Sequence, residues 1–262
     1  MTLLLLWLPI ATPIYLLGTD QNLVSIMAMG VLFTEFLLLL KLVWGPLVYQ
    51  QSRIFVDYGL ERTRQNFQEL LIGLGIGLLM TFSLFTLEGL LGWLEFQQQQ
   101  VVMPRLILEG LASAVGIAFA EELFFRGWLL DELQRDYSLK VSLWVDAIIF
   151  AVLHFLKPLS EIIRTLAEFP GLLLLGLTLV WAKRISSRGT SLRYQGRLGL
   201  PIGLHAGLVW GYYIISVGQL VKYSDQVAPW ITGINGNPIA GFLGWLFMGV
   251  LALWIRKRSS MG

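Results

Sequence analysis

Residues 110–130 read GLASAVGIAFAEELFFRGWLL. Three side chains apart, this is an apolar run of the length that crosses a bilayer, since a hydrocarbon core of about 30 Å takes roughly 20 apolar residues in a helix. The exceptions, Glu121, Glu122 and Arg126, lie well inside it. A charge within a membrane costs at least a few kcal/mol, so it is kept where it is paired or functional. Seven further apolar segments surround this one, and together they give eight expected spans: 2–17, 23–49, 69–94, 106–131, 141–157, 170–183, 200–221 and 238–255. The expected fold is therefore all-α, a polytopic membrane bundle of about eight transmembrane helices. The first span is short and holds Pro9 and Pro13, but it is no signal peptide, because the first basic residue is Lys41. The sixth is also short, and the charged piece before it (158–169) reads as an interfacial helix or a bent approach.

Composition agrees. Of 262 residues 56% are hydrophobic and 14% charged, where a soluble domain has about 25% charged. Mean hydropathy is +0.69. These values exclude a soluble globule and a disordered chain. A net charge of +2 gives no support to a nucleic-acid partner; the partner implied is the lipid bilayer. Cysteine is absent, which removes disulfides, thiolate nucleophiles and Cys-ligated zinc. Of the 19 Lys and Arg, 14 fall in alternate connections and the C-terminus and 4 in the other connections, with Lys41 inside a span. The positive-inside rule then places both termini in the cytoplasm. No domain boundary is visible, so residues 1–262 read as one integral, multi-pass domain of a bacterial inner membrane or an organelle membrane.

The charges inside the spans carry the chemistry. Glu122 and Arg126 are i,i+4 and share a helix face, acid first, the better orientation for a pair. Glu121 is rotated from Glu122 by about 100° and can face another helix. A self-neutralising Glu122–Arg126 pair could serve packing alone, but it leaves Glu121 without a partner. The chain has two histidines, and both fall in apolar spans: His154 in IIFAVLHFL (148–156) and His205 in GLPIGLHAGLVWGYY (199–213). They are the candidates to face Glu121, with interhelical hydrogen bonding as the plainer alternative. Gly199, Gly203, Gly207 and Gly211 form a smooth stripe for close helix approach. His205 is about 200° from Gly203 around the helix and points away from that seam. Gly73 and Gly77 make a second small-residue seam. Glu35, Lys41 and Glu88 also lie within spans, and Lys41 can snorkel.

A carboxylate beside a neutral imidazole can hold and deprotonate a water, while a second His can donate to an oxyanion or ligate a metal. Glu121, His154 and His205 are a ligand set compatible with Zn²⁺. The chain has no HExxH, GxGD or GxSG, so the site-2 metalloprotease, presenilin-type and rhomboid arrangements are absent. Glu121-Glu122-Leu-Phe-Phe-Arg126 matches EExxxR, Phe150-Ala-Val-Leu-His154 matches FxxxH, and His205 follows in a later helix. This ordered trio resembles the CPBP intramembrane proteases, which include the CAAX-processing Rce1-type endopeptidases and bacteriocin-immunity proteins. The GTSL run at 189–192 resembles the family's lead-in to the last helix.

The resemblance covers about 105–215. It implies an endopeptidase acting on a membrane-bound or lipidated, CAAX-like peptide or protein. Glu121 would activate water, with Glu122 and Arg126 shaping the site. His154 would assist at the water or a metal, and His205 would stabilise the oxyanion or bind metal. One motif departs: the family has HxxxN or HxxxD, and four residues after His205 stands Val209. Loss of an oxyanion donor costs on the order of 2.7–4 kcal/mol. Tyr212, seven residues after His205, is a candidate substitute hydroxyl. The departure motivates a second reading, a non-catalytic scaffold or partner-binding protein of the same fold. A proton relay or transporter is a third, since buried Glu and His also mark ion pathways. On the expected topology His154 lies beyond the membrane middle and His205 nearer the cytoplasm, so their meeting at Glu121 requires tilted helices or a wet cavity.

Overall fold

The computed structural model describes residues 2–98, 103–186, 196–224 and 226–260. The GTSL run and Gln99–Gln100 lie outside these residues. By internal packing the chain forms two compact units, Met1–Asp57 and Tyr58–Gly262.

The first unit holds α1 (Thr2–Leu17), α2 (Gln21–Leu39), a π-helical continuation of α2 (Leu40–Val48) and the short α3 (Ile54–Asp57). Helices α1 and α2 meet through small residues: Ala11 and Ala28 are fully covered, and Trp7 Nε1 donates to the Ala28 carbonyl at 2.8 Å. Glu35 belongs to α2.

The second unit holds α4 (Arg64–Leu90), β1 (Leu94–Phe96), α5 (Met103–Glu122), a π-helical turn (Leu123–Leu129), α6 (Leu130–Asp136), α7 (Leu139–Leu153) and α8 (Leu159–Thr165). It continues with α9 (Phe169–Ile185), α10 (Gly199–Val217), β2 (Val221–Tyr223), α11 (Pro229–Thr232) and α12 (Phe242–Ser260). Four helical stretches are long and apolar enough to cross a membrane: 23–48, 64–90, 159–185 and 199–217. The short sixth span and its charged approach thus form one 27-residue candidate, joined through a 3₁₀ turn at Leu166–Glu168. The expected spans 2–17, 106–131, 141–157 and 238–255 coincide with helices that are shorter or more charged. Strands β1 and β2 pair antiparallel, Leu94 opposite Tyr223. Segments of three residues are too short for a period-2 pattern to announce them.

Helix α10 is the centre of this unit. Every residue from Gly199 to Gly207 is buried, as expected of a helix apolar on all sides. The two glycine seams face each other. A Cβ on Gly199, Gly203, Gly207 or Gly211 would strike Asn66, Leu70, Leu74 or Thr81 of α4, and a Cβ on Gly73 or Gly77 would strike the α10 backbone. The order is the same along both helices, so they run parallel. Their starts are tied together. Thr63 caps α4 by accepting from Asn66 N, Asn66 Oδ1 accepts from Gly199 N at 2.7 Å, and Arg197 pairs with Glu69. On the other sides of α10, Trp210 Nε1 donates to the Ile107 carbonyl of α5 at 3.0 Å, and Leu200 and Leu204 join a core with Phe125, Phe150, Leu175 and Leu251.

The seam gives a direct test. A Cβ at Gly77 would lie 2.6 Å from Leu204 O and Leu208 N, whereas one at Gly75 meets nothing within 4 Å. Overpacking costs typically 1–3 kcal/mol where side chains can yield; two abutting backbones cannot. Gly77→Leu is expected to lower stability by more than about 3 kcal/mol and Gly75→Leu to change it little, measured by thermal unfolding in detergent. Equal midpoints for the two variants would refute the seam.

Candidate active site

Glu121 and Glu122 are the last two residues of α5, and the helix then widens into the π turn that carries Arg126. Such turns concentrate at functional sites because they re-aim side chains. His154 caps the C-terminus of α7. That helix has 15 residues, about 22 Å of rise. It is shorter than the roughly 30 Å needed to cross. His205 lies in the second turn of α10 and points away from the glycine seam, as its spacing predicts.

The three meet. Glu121 Oε2 is 3.8 Å from His154 Nε2 and 4.0 Å from His205 Nε2. Among the described residues Glu121 Oε2 has no hydrogen-bond partner. The side chains of Glu121 and His154 are 29% and 31% exposed, while Glu121 Oε2 itself is buried.

The other nitrogen of each imidazole settles its tautomer. His154 Nδ1 is 2.7 Å from the Phe150 carbonyl; a carbonyl only accepts, so Nδ1 carries the hydrogen. His205 Nδ1 is 2.9 Å from Glu122 Oε1. Glu122 also accepts from Arg126 Nη1 at 3.2 Å, is therefore a carboxylate, and takes the His205 Nδ1 hydrogen. In both imidazoles Nε2 is the nitrogen turned toward Glu121 Oε2.

Behind this surface lies a buried charged group. Glu122, Arg126, Asp146 and Lys183 are all 0% exposed. Arg126 also donates Nη2 to the Gly176 carbonyl at 3.0 Å, and its Nε is 3.5 Å from Asp146 Oδ2. Lys183 Nζ donates to the Arg126 carbonyl at 2.5 Å. The Phe150 ring stacks against the guanidinium, with Cζ 4.3 Å from the ring centroid. It also packs on His154, centroid to centroid 4.6 Å, which gives the Phe of FxxxH a physical role. Glu122–Arg126 is thus a supporting pair, and it leaves Glu121 free for chemistry.

Sequence reasoning missed two members of this group. Asp146 lies inside the fifth apolar span and was legible as a charge where none should be. Lys183 was counted as a connection residue; it is buried within α9. Arg126 and Lys183 therefore drop out of the fourteen connection charges. The Tyr212 hydroxyl engages Ser216, one turn further from His205. Val209 lines an apolar cavity of about 150 Å³ with Leu175, Leu208 and Met248. Glu88 is buried elsewhere, and Tyr223 donates to it at 3.4 Å. Burial pushes the Tyr223 phenol above its usual range, so it stays a donor.

A Zn²⁺ site would need ligand atoms about 3.3 Å apart, from bonds of about 2.0 Å in a tetrahedron. The separations of 3.8 and 4.0 Å are wider, and among the described residues no group of three His, Cys, Asp or Glu is arranged to hold an ion. The donor chemistry suits zinc; the spacing suits a shared water.

Residues 103–221 match the family model described as type II CAAX prenyl endopeptidase, Rce1-like. This Rce1-like segment spans just under half of the chain. No curated protein and no solved structure matches it. The Rce1-like segment runs from α5 to β2 and contains all five expected site residues together with Asp146 and Lys183, while residues 1–102 lie outside it. With its apolar helices, the chain is an integral membrane protein that carries a segment similar to a protease family.

Proposed function

We propose that this chain is an intramembrane endopeptidase that hydrolyses a peptide bond of a membrane-bound or lipidated, CAAX-like substrate. The observation that carries the reading is the unpartnered Glu121 Oε2 facing two imidazole Nε2 atoms at 3.8 and 4.0 Å. A water among these atoms gives one proton to Glu121 while its other hydrogen stays on the oxygen and is donated as a hydrogen bond to His154 Nε2, and the resulting hydroxide attacks the scissile carbonyl. His205 takes a proton from solvent at Nε2 before the attack and donates it as a hydrogen bond to the oxyanion, and the Glu122 carboxylate at Nδ1 stabilises the imidazolium. Glu121 then returns its proton to the leaving amine. The ligand spacing supports a metal-independent step. The alternating Lys/Arg distribution supports eight spans with both termini in the cytoplasm.

The test is cleavage of a farnesylated CAAX-type peptide by the full chain in lipid nanodiscs, read by mass spectrometry. Cleavage is expected, and 1,10-phenanthroline is expected to leave its rate unchanged. Abolition by the chelator with restoration by Zn²⁺ would overturn the metal-free step. One observation favours a second reading, a scaffold of the same fold: Val209 adds an apolar side chain to an apolar cavity where the family motif has Asn or Asp. A folded chain that cleaves no peptide but retains a stoichiometric membrane partner supports that reading.

A further inference from the structure

Asp146 is fully buried, yet neither of its carboxylate oxygens has a hydrogen-bond partner among the described residues. Buried polar groups are rarely left so, and an exception calls for a cause. Its neighbourhood supplies one. The nearest cation is Arg126, with Nε at 3.5 Å, and Lys183 is held against the Arg126 carbonyl on the same π turn. Two acids, Glu122 and Asp146, thus stand near two bases, Arg126 and Lys183, with Asp131 and Arg184 also within electrostatic reach of Lys183.

The guanidinium is held by hydrogen bonds at two of its nitrogens and faces Asp146 with the third, which has no hydrogen-bond partner among the described residues. Nη1 faces Glu122, Nη2 the Gly176 carbonyl, and Nε Asp146. Asp146 draws part of the Arg126 charge to itself. Glu122 is left with enough of its own charge to be a strong acceptor for the His205 Nδ1 hydrogen at 2.9 Å. That bond fixes which His205 nitrogen turns toward Glu121.

We infer that Asp146, balanced by Lys183, is a positioning residue for the hydrolytic site, setting the His205 tautomer through Arg126 and Glu122. It touches neither substrate nor the reacting atoms. For its kinetic arm the inference rests on the endopeptidase reading; for its structural arm it does not.

The chain has two histidines, so ¹⁵N labelling of histidine in the full protein yields two imidazole spin systems, assigned with His154→Ala. At alkaline pH, with both rings neutral, the wild type is expected to show His205 protonated at Nδ1. In Asp146→Asn the Nε2-protonated form of His205 is expected to appear while the His154 signals stay in place. kcat is expected to fall about 10–100-fold, as for other outer-shell partners, with KM unchanged. A folded Asp146→Asn protein with wild-type His205 signals overturns the inference.

Should the single variant fail to fold, Asp146→Asn/Lys183→Met removes one acid and one base together and is read the same way. An altered His205 in the double variant supports the positioning role, and wild-type signals show that Asp146 serves charge balance only. Failure of both variants to fold assigns Asp146 to the fold and likewise overturns the inference. If the wild type cleaves nothing, the endopeptidase reading fails, and the imidazole signals still decide this one.

Discussion

Glu121→Gln is expected to lower kcat for the farnesylated peptide by at least about 10³-fold, within the range for loss of a general base, while leaving the protein folded. The two halves of that expectation have separate causes. Glutamine keeps the size of the side chain and can still hold a water, but it cannot take the proton, so only the chemical step is lost. Glu121 Oε2 makes no hydrogen bond to the described residues and the side chain is part exposed, so little native interaction disappears. Stability should change by no more than about 0.5 kcal/mol, as for a surface position. Measuring kcat and the thermal midpoint on the same preparation separates this from a folding defect. Cleavage within tenfold of wild type, in a folded variant, would remove Glu121 as the base and with it the proposed reaction.

Much of the site was legible because its members are polar residues where the membrane tolerates few. Glu121 and His154 each shared an apolar span with a few other charges and His205 stood alone in its own, and the i,i+4 offset already separated the Glu122–Arg126 pair from Glu121. The small-residue stripes on α4 and α10 were equally readable. That they are two halves of one interface was not, since sequence spacing carries no information about which helices are neighbours. Three features stayed hidden for physical reasons. The π turn at Leu123–Leu129 leaves no compositional mark; it shows only as a register shift. Lys183 is basic and near a helix end, where snorkelling is the ordinary outcome, and only the inward-facing Arg126 carbonyl explains its burial. The end of α7 at Leu153 was unmarked, because hydropathy continues through Phe155 and Leu156.

Arg126→Met is expected to cost the most stability of any single substitution in the site, about 3–5 kcal/mol, the usual penalty for removing one partner of a buried ion pair. Here the remaining partners are two carboxylates, Glu122 and Asp146, both 0% exposed. Lys183 does not replace the lost charge, because its Nζ is committed to the residue-126 carbonyl, which the substitution leaves in place. Arg126→Lys should recover only part of the loss. A planar guanidinium reaches Glu122, Gly176 and Asp146 along three edges, and an ammonium lacks that fixed geometry. The comparison that isolates burial is Arg105→Met. Arg105 also pairs with a glutamate one turn on, Glu109, but in the open, with side chains 77% and 51% exposed, and its loss should leave the midpoint where it was. Thermal unfolding of the three variants in the same detergent decides the matter. A midpoint for Arg126→Met near that of Arg105→Met would mean that the carboxylates behind the site are neutral. Glu122 could then no longer act as the charged acceptor that orients His205.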